Sequence, residues 1–541
     1  MKLTFLGATH QVTGSCTLLE WLPGRYAIID YGMEQGENNI LQKPLPVPPG
    51  KVEYVFLTHA HIDHSGLLPL LYKNGFRGQI YATEETVNLA DIMLRDSAQI
   101  QETDAAYQTK KNLRTDGPEV KPLYTVEDAE QVMRCFYPCE YKKIYMVDEG
   151  LSVRFTDAGH LLGSAFIEMF LEENGERRTM VFSGDVGNLH QPIIRDPEPV
   201  PEADYLLIES TYGTKIHDPM AAPIPLLTEI LRKTFSRGGT VIIPSFAVGR
   251  TQELLYFFRE IKQRKLLPSF NDFSVYVDSP LADKATAVFL QCGVNCLDDE
   301  ARAILKEGEN PIWFNGLHTL CSVEDSRKLN ENHDIKVIIA SGGMCEGGRI
   351  RHHLKHGLWN NKNTVLFAGY QAVGTLGRAI FDGMKQVKIL GESIDVNADI
   401  ALLGGISGHA DQKGLLHWIE QFERKPQRVF VNHGEDESCS AFADLIQEYF
   451  AIPAEAPCSG SCFDLIRGDW DTKTEIVYRD PGKTEPRPAV NKGGARNQML
   501  FEELNDAAEE LMNRVRQMKG HSNQELENMN RRIRNLLENA R

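Results

Sequence analysis

Residues 59–64 read His59-Ala60-His61-Ile62-Asp63-His64, so four candidate metal ligands lie within six consecutive positions. The preceding residues 53–58 are mainly β-branched and aromatic, as is typical of a buried strand. Residues 65–69, Ser-Gly-Leu-Leu-Pro, favour the start of a helix with proline in its first turn. Alternate side chains of an extended chain face the same side, so His59, His61 and Asp63 are predicted to point together. We therefore predict a metal site where a strand ends and a helix begins.

Three further candidate ligands end strand-like runs later in the chain. They are His160 after Phe155-Thr156-Asp157-Ala158-Gly159, Asp185 after Val181-Phe182-Ser183-Gly184, and His433 after Val429-Phe430-Val431-Asn432. Each would be an ordinary loop residue by itself. Because they follow the six-residue cluster in this order, they favour one composite site. Imidazole and carboxylate ligands together suit zinc, with manganese or iron as alternatives.

The order of these motifs resembles that of metallo-β-lactamase-fold hydrolases. Asp30, in Ala27-Ile28-Ile29-Asp30-Tyr31-Gly32, matches the first motif of that family, and the six-residue cluster matches the second. His160 matches the third motif and Asp185 matches the fourth. The resemblance implies that Asp30 orients a ligand rather than binding metal itself.

Later motifs resemble the β-CASP subfamily of RNA-processing nucleases. Glu209, in Ile208-Glu209-Ser210-Thr211-Tyr212-Gly213, matches motif A; His409, in Ser407-Gly408-His409-Ala410-Asp411, matches motif B; His433 matches motif C. Three glycine-containing segments, 243–250, 340–349 and 369–378, resemble hallmarks of the β-CASP insert. The resemblance covers roughly residues 1–466 and leaves the C-terminal segment unassigned.

The implied fold class is α/β: a metallo-β-lactamase αββα sandwich with an inserted β-CASP α/β domain and a C-terminal helical tail. The predicted domains are 1–210 (first part of the sandwich), 211–384 (β-CASP), 385–466 (second part of the sandwich), 467–495 (linker or extension) and 496–541 (helical hairpin). Within the insert we predict helices at 223–235 and 251–263 and strands at 240–243, 273–277, 335–340 and 364–367. Strands that alternate with helices favour a parallel sheet. Because His409 and His433 must reach the metals, 385–466 should fold back onto the first domain.

The resemblance also implies a division of roles at the site. One metal ion would be held by His59, His61 and His160, and a second by Asp63, His64 and His433, with Asp185 bridging. His409, steered by Glu209, would give a proton to the leaving 3′-oxygen, since a carboxylate partner raises the pKa of a histidine. Asp63 and Asp185 would be catalytic through the metals. Arg250, Arg349 and Arg378 are predicted either to contact phosphate or to cap helices.

The expected reaction is metal-assisted hydrolysis of RNA to 5′-phosphate and 3′-hydroxyl products, with two Zn²⁺ ions. Three alternatives are a DNA-directed β-CASP nuclease, a small-molecule metallohydrolase of the same fold and a non-catalytic subunit. Retention of all seven ligands disfavours the last, and a histidine at position 433 favours RNA over DNA. Internal and 5′-to-3′ cleavage remain equally open.

Composition fits a large enzyme of the cytoplasm. The chain has 541 residues, of which 42% are hydrophobic, and lacks an apolar run long enough for a membrane span or a signal peptide. Its ten cysteines include three pairs with Cys-x₃-Cys spacing, which we interpret as reduced thiols rather than a second metal site. The net charge of −17 predicts weak non-specific RNA binding, although a local basic groove and bound divalent ions can still recruit phosphate.

In the tail after the Pro- and Gly-containing linker, apolar residues recur at helical spacings of three and four in two segments, one on each side of Gly520. Three hypotheses fit this pattern: a hairpin docked on its own body, a homodimerisation element, and an RNA contact through Arg531, Arg532 and Arg534.

Overall fold

A computed structural model describes residues 1–479 except 37–38, 114–117, 218–221 and 373, and beyond 479 residue 530 alone. Its strands in chain order are β1 (Lys2–Gly7), β2 (Cys16–Leu22), β3 (Arg25–Tyr31), β4 (Val52–Phe56), β5 (Gln79–Thr83), β6 (Phe136–Cys139), β7 (Ile144–Asp148), β8 (Leu151–Asp157), β9 (Ala165–Glu173), β10 (Glu176–Phe182), β11 (Tyr205–Glu209), β12 (Thr240–Ser245), β13 (Ser274–Asp278), β14 (Leu317–Thr319), β15 (Lys336–Ser341), β16 (Thr364–Phe367), β17 (Gln386–Ile389), β18 (Glu392–Asp395), β19 (Asp399–Leu402), β20 (Arg428–Asn432), β21 (Ala454–Glu455), β22 (Cys462–Asp464) and β23 (Asp469–Thr472). The α-helices are α1 (Ile62–Ser65), α2 (Leu68–Lys73), α3 (Glu84–Leu113), α4 (Val126–Val132), α5 (Pro223–Ser236), α6 (Arg250–Gln263), α7 (Pro280–Gln291), α8 (Asp299–Lys306), α9 (Val323–Glu331), α10 (Ile350–Gly357), α11 (Leu376–Phe381), α12 (Gln412–Glu420) and α13 (Asp436–Phe450).

Two mixed sheets pack face to face and form the sandwich. The first has the order β23-β22-β1-β2-β3-β4-β5-β6, and the second has the order β21-β20-β11-β10-β9-β8-β7. Large apolar side chains from both sheets meet in one buried cluster, as in the contact of Phe5 with Phe430 at 4.9 Å between ring centroids. Each such side chain stabilises the fold by about 1.5–3 kcal/mol relative to its exposed state.

Helices cover the outer face of the second sheet. Trp418 and Ile419 of α12 and Phe442 and Ile446 of α13 are buried in a cluster with Val429 and Val431 of β20 and other strand residues. Apolar spacing therefore places α12 and α13 on the sheet that carries three of the ligand-bearing strands.

The inserted domain contains a parallel sheet with the order β14-β13-β15-β12-β16-β19. Strands β12 and β15 are buried along almost their whole length, as expected of parallel strands covered on both faces. Because β12, β15 and β16 are parallel neighbours, their carboxyl ends lie at the same edge of the sheet.

The predicted fold class is confirmed: strands alternate with helices in the insert, and β20 pairs with β11 as the chain returns to the sandwich. The domain boundaries remain predictions, but two strands lie after a predicted boundary and still belong to the sheet before it. β19 lies after residue 384 and pairs into the inserted sheet, and β23 lies after residue 466 and belongs to the first sheet of the sandwich. β19 pairs with β16, and β23 pairs with its neighbour β22, which in turn pairs with β1 at the other end of the chain. Local patterns do not reveal that last pairing.

The predicted helical tail, 496–541, lies outside the described residues apart from residue 530. In the part of the chain that the structure does describe, no helix has the length and apolar character needed to cross a bilayer. The ten cysteines are unpaired in the structure, and their reduced state stays a prediction.

Candidate metal centre

The six-residue cluster changes conformation halfway along. Strand β4 ends at Phe56, and α1 begins at Ile62 with His61 as its N-cap residue. The hydroxyl of Ser65 donates to the carbonyl oxygen of His61 at 3.0 Å, which closes this short turn. The prediction that Asp63 points to the same side as His59 and His61 is therefore wrong, because an extended chain does not continue through Asp63. The helical turn sends Asp63 and His64 to a second group of ligands.

The other three ligand candidates arrive from strand ends of the second sheet. His160 follows β8, Asp185 follows β10 and His433 follows β20. His433 itself has a φ of +51°, and Asp30 in the first sheet has a φ of +55°. Non-glycine residues in this region are strained by about 1–3 kcal/mol, and such strain concentrates at functional sites.

Glycines precede two of these ligands because a side chain would collide there. A Cβ atom on Gly184, before Asp185, would lie 2.6 Å from Cβ of Thr58. Both Gly184 and Gly159, before His160, also have positive φ angles. The ligand loops can therefore approach the end of β4 closely.

One group of potential ligand atoms comprises His59, His61, His160 and Asp185, all within 4.8 Å of one another. Nδ1 of His61 lies 3.0 Å from Nε2 of His59 and 3.2 Å from Nε2 of His160. Oδ2 of Asp185 lies 3.4 Å from Nε2 of both His59 and His160. These nitrogens converge on a common point, as ligands of one ion do.

The second group comprises Asp63, His64 and His433. Nε2 of His64 lies 3.0 Å from Nε2 of His433, and Oδ2 of Asp63 lies 3.7 Å from the latter atom. The other carboxylate oxygen of Asp185, Oδ1, lies 3.2 Å from Nε2 of His64 and 3.7 Å from Nε2 of His433. Asp185 thus presents one oxygen to each group.

The chemistry of these atoms fits bound cations. Within the described residues, Oδ1 of Asp185 is buried without a hydrogen-bond partner, although such atoms are normally satisfied. Burial, reinforced by the charge of His59, lowers the pKa of His61 to about 3, and burial likewise lowers the pKa values of His59 and His160. These histidines are therefore neutral at pH 7, the form that binds metal. In the described segments, every cluster able to hold a metal ion lies here, and none contains cysteine.

Asp30 and Thr58 hold two of the ligand histidines from behind. Oδ2 of Asp30 lies 2.7 Å from Nδ1 of His64. The Thr58 hydroxyl donates to the same carboxylate oxygen at 2.9 Å and lies 3.1 Å from Nδ1 of His59. Contacts through Nδ1 leave Nε2 of each histidine directed into the site.

Sequence analysis missed Thr58 and two further supporting groups. The carbonyl oxygen of Gly408 accepts a hydrogen bond from Nδ1 of His160 at 3.0 Å, and the Thr211 hydroxyl lies 3.3 Å from Nδ1 of His433. Thr58 and Gly408 directly precede His59 and His409, and Thr211 lies two residues after Glu209. Only that adjacency could have drawn attention to them, because threonines and glycines carry no ligand signature.

His409 lies beside the metal-ligand groups but bonds to a carboxylate outside them. Its Nδ1 is 3.1 Å from Oε1 and 3.2 Å from Oε2 of Glu209. Backbone N–H groups of Val186 and Thr211 donate to the same carboxylate, at 2.6 and 3.3 Å. Burial alone would lower the pKa of His409, but the carboxylates of Glu209 and Asp185 raise it to about 9. His409 is therefore protonated near neutral pH and its ring is partly accessible.

The three arginines predicted as phosphate contacts each have an acidic partner in the chain. Arg250 pairs with Glu253, Arg378 with Asp382 and Arg349 with buried Asp278. Arg349 also donates to the carbonyl oxygens of Leu320 and Cys321. No arginine side chain among them caps a helix, and their contact with phosphate stays a prediction.

A fold of two facing sheets, with a histidine and aspartate cluster at the ends of their strands, defines a metallo-β-lactamase-type hydrolase. Three family models match the chain: the metallo-beta-lactamase superfamily at residues 11–133, the Beta-Casp domain at 251–380 and the Zn-dependent metallo-hydrolase RNA specificity domain at 393–457.

Similar proteins of known name support the same placement. The chain is 38% identical to Ribonuclease TTHA0252 of Thermus thermophilus, over 82% of this chain and 96% of the relative. It is 30% identical to Transcription termination factor FttA of Methanocaldococcus jannaschii (86% of this chain, 72% of the relative) and 29% identical to FttA of Methanosarcina mazei (84% and 70%). The chain belongs to the β-CASP family of the metallo-β-lactamase superfamily.

Proposed function

We propose that this protein is a ribonuclease that hydrolyses RNA phosphodiester bonds to 5′-phosphate and 3′-hydroxyl products in RNA processing or decay. One observation carries the proposal. Two groups of ligand atoms flank Asp185, and a protonated His409 held by Glu209 lies next to them. The name of the relative Ribonuclease TTHA0252, which aligns over 82% of this chain, supports RNA as the substrate.

The proposed metal ligands are His59, His61 and His160 for one ion and Asp63, His64 and His433 for the other. Asp185 would contribute one oxygen to each ligand group, and Asp30 fixes the orientation of His64. We propose zinc at both positions because nitrogen and oxygen donors in this mixture suit it, with manganese and iron as competitors. When bound, the ions supply activation of water and stabilisation of negative charge on the scissile phosphate.

His409 is proposed to give its proton to the leaving 3′-oxygen. Its Nδ1–H is engaged by Glu209, so Nε2 is the nitrogen left to deliver a proton. Glu209 keeps the ring charged and oriented, and the backbone N–H groups of Val186 and Thr211 fix Glu209 in turn. Such general acid catalysis contributes about 10²–10⁴-fold in rate.

The presence of the inserted domain favours a nuclease over a small-molecule metallohydrolase. It places a whole parallel sheet beside the metal centre, which a small substrate does not need. The match to an RNA specificity domain at residues 393–457 also favours RNA over DNA. We propose a cytoplasmic location, in which the ten free thiols stay reduced.

The proposal is tested with protein purified without added metal. Elemental analysis should find about two transition-metal ions per chain, and RNA labelled at the 5′ end or internally should be cut, with cleavage lost on chelation. The two labels also separate internal cleavage from 5′-to-3′ degradation. Metal-free protein whose cleavage resists chelator would contradict the proposed chemistry.

A further inference from the structure

Two exposed aromatic side chains lie at the carboxyl edge of the inserted sheet. Phe246, which directly follows β12, is 53% exposed, and Tyr370, shortly after the neighbouring β16, is 52% exposed. Isolated exposed aromatics are common, but these two leave adjacent parallel strands at the same edge. We call Phe246 and Tyr370 the aromatic platform.

Gly343 joins the two members of the platform. It lies in the loop after β15, which pairs with β12 up to Ser341 and Ser245. A Cβ atom on Gly343 would lie 3.1–3.3 Å from three carbon atoms of the Phe246 ring, so the ring rests against this glycine backbone. The buried amide of Gln371 donates to the carbonyl oxygens of Gly343 at 3.0 Å and Tyr370 at 3.1 Å. The Gln371 side chain thus ties the backbone of Tyr370 to the glycine on which the Phe246 ring rests.

A short series of contacts connects the platform to the catalytic centre. The ammonium group of Lys215 lies 6.0 Å from the centroid of the Tyr370 ring. The backbone N–H of Lys215 donates to the carbonyl oxygen of Tyr212 at 3.0 Å. The Tyr212 ring in turn lies 6.2 Å from the ring of His409. A strand of nucleic acid whose scissile phosphate is beside His409 would therefore pass Tyr212 and reach Tyr370.

Charge favours RNA binding near Lys215 over binding in an acidic cavity nearby. A cavity of 740 Å³ lies against the loop preceding His409, but its charged lining comprises six carboxylates, three guanidinium groups and one histidine. Those guanidinium groups, of Arg195, Arg264 and Arg302, are each paired with a carboxylate. Lys215 is exposed and has no salt-bridge partner among the described residues. A polyanion is attracted to Lys215 and repelled by the acidic cavity.

We propose that Phe246 and Tyr370 stack unpaired bases of the RNA that leads into the catalytic centre, while Lys215 contacts its phosphate backbone. The inference rests on the proposed function and names the side chains that would hold the RNA beside the scissile bond. Every base has a π-face, so stacking holds a strand without reading its sequence. A duplex hides those faces between its base pairs, so paired RNA cannot use the platform.

The test compares kcat and KM of the metal-loaded enzyme on a short single-stranded oligoribonucleotide. Tyr370→Ala and Phe246→Ala should each raise KM roughly 5- to 100-fold, the usual effect of losing one stacked base, with kcat and metal content nearly unchanged. Tyr370→Phe and Phe246→Tyr keep a ring and should restore KM. Trp359→Ala is the matched control, because Trp359 is 56% exposed but precedes β16 at the opposite edge of the same sheet.

An abasic nucleotide placed at successive positions of the substrate identifies the stacked bases. At one position it should raise KM for the wild type but not further for Tyr370→Ala, because the two changes remove the same contact. Equal KM values for the wild type and both alanine variants would overturn the platform while leaving the ribonuclease intact. A Tyr370→Phe variant as impaired as Tyr370→Ala would also overturn it, since the hydroxyl would then matter rather than the ring. Failure of the wild type to cut any RNA would overturn both proposals.

Discussion

At the scale of single residues, two histidines beside Asp185 differ in what their ring nitrogens face. Nδ1 of His409 meets Glu209 at 3.1 Å, whereas Nε2 of His433 faces Asp63 and Asp185, each at 3.7 Å. A histidine whose Nδ1 is held by a carboxylate has Nε2 left to deliver a proton, while one whose Nε2 lies among other ligand atoms can share a cation. We therefore propose two tasks for the same residue type, and each task predicts a different result on substitution.

His409→Ala should keep both metal ions and lose roughly 10²–10⁴-fold in kcat, because only the proton donor is removed. His433→Ala should instead release metal from the second ligand group. Metal content by elemental analysis and kcat on RNA, measured for both variants, separate the roles. Equal loss of metal in the two variants would show that His409 is a ligand.

Thr58→Val should weaken metal binding about 10- to 100-fold, the usual effect of losing a group that orients a ligand. The substitution keeps the shape of the side chain but removes the hydroxyl that contacts Asp30 and lies beside His59. Thr58→Ser keeps the hydroxyl and is the matched control. Titration with a competing chelator measures the affinity, and an unchanged affinity in the valine variant would refute the supporting role.

Sequence analysis found the candidate ligands because histidine and aspartate at strand ends form a visible pattern. It could not find Thr58 or Gly408, because their role lies in a hydrogen bond made by the fold, in one case to a residue more than two hundred positions away. Nor could it foresee the positive φ angles of Asp30 and His433, which tertiary contacts impose.

At the scale of elements, the inserted sheet is fastened at the end of β13 by a buried ionic cluster. Asp278 is fully buried and accepts hydrogen bonds from Ser326, from Arg349 and from Nε2 of His353, the last at 2.6 Å. Burial raises the pKa of Asp278, but these donors outweigh it and hold the pKa below its ordinary value of 3.8. The cluster links β13 to α9 and α10.

Asp278→Asn should lower the free energy of unfolding by about 3–5 kcal/mol, because the partly buried Arg349 loses its counter-ion and the buried His353 loses a charged hydrogen-bond acceptor. Since the folded state lowers the pKa of Asp278, its ionised form stabilises the fold above about pH 4, and this contribution is lost as the pH falls through the folded value. Urea unfolding followed by circular dichroism measures both effects. The difference between wild type and variant should be full at pH 7 and shrink in acid.

Asp299→Asn serves as the control for that experiment. Its side chain is 97% exposed and pairs with Arg302 on the surface, where such a pair contributes at most about 1 kcal/mol. A similar destabilisation by both substitutions would mean that the buried cluster has no special role.

Local sequence patterns predicted these elements well where period and length agree. The predicted strand at 364–367 is β16, and the predicted helices at 223–235 and 251–263 are α5 and α6 within one residue at each end. The start of α1 inside the six-residue cluster escaped prediction, because four residues are too few for a helical period. Pairing of β22 with β1 escaped it too, since Lys2 and Asp464 meet only in the folded chain.

At the scale of the whole molecule, an acidic protein handles an acidic substrate. The net charge of −17 repels RNA at long range, so recruitment depends on local features. The protonated His409, the exposed Lys215 and the metal ions that the ligand groups would hold supply positive charge, while the acidic cavity lies against the loop preceding His409. Binding should therefore rest on a few contacts near the scissile bond.

The C-terminal segment is a predicted contact with a second copy of the chain. Its sequence predicts two short helices with narrow apolar stripes, which are marginal in water alone and must bury those stripes. We predict that removing residues 496–541 lowers the mass measured by light scattering, because we expect the two predicted helices to hold a homodimer. Metal content and kcat should be retained, since every proposed ligand lies before residue 434.

An unchanged mass with a lower Tm would instead support a hairpin docked on its own body. An unchanged mass with a higher KM for RNA would support contact through Arg531, Arg532 and Arg534, and substituting those three arginines in the full chain would then reproduce the effect.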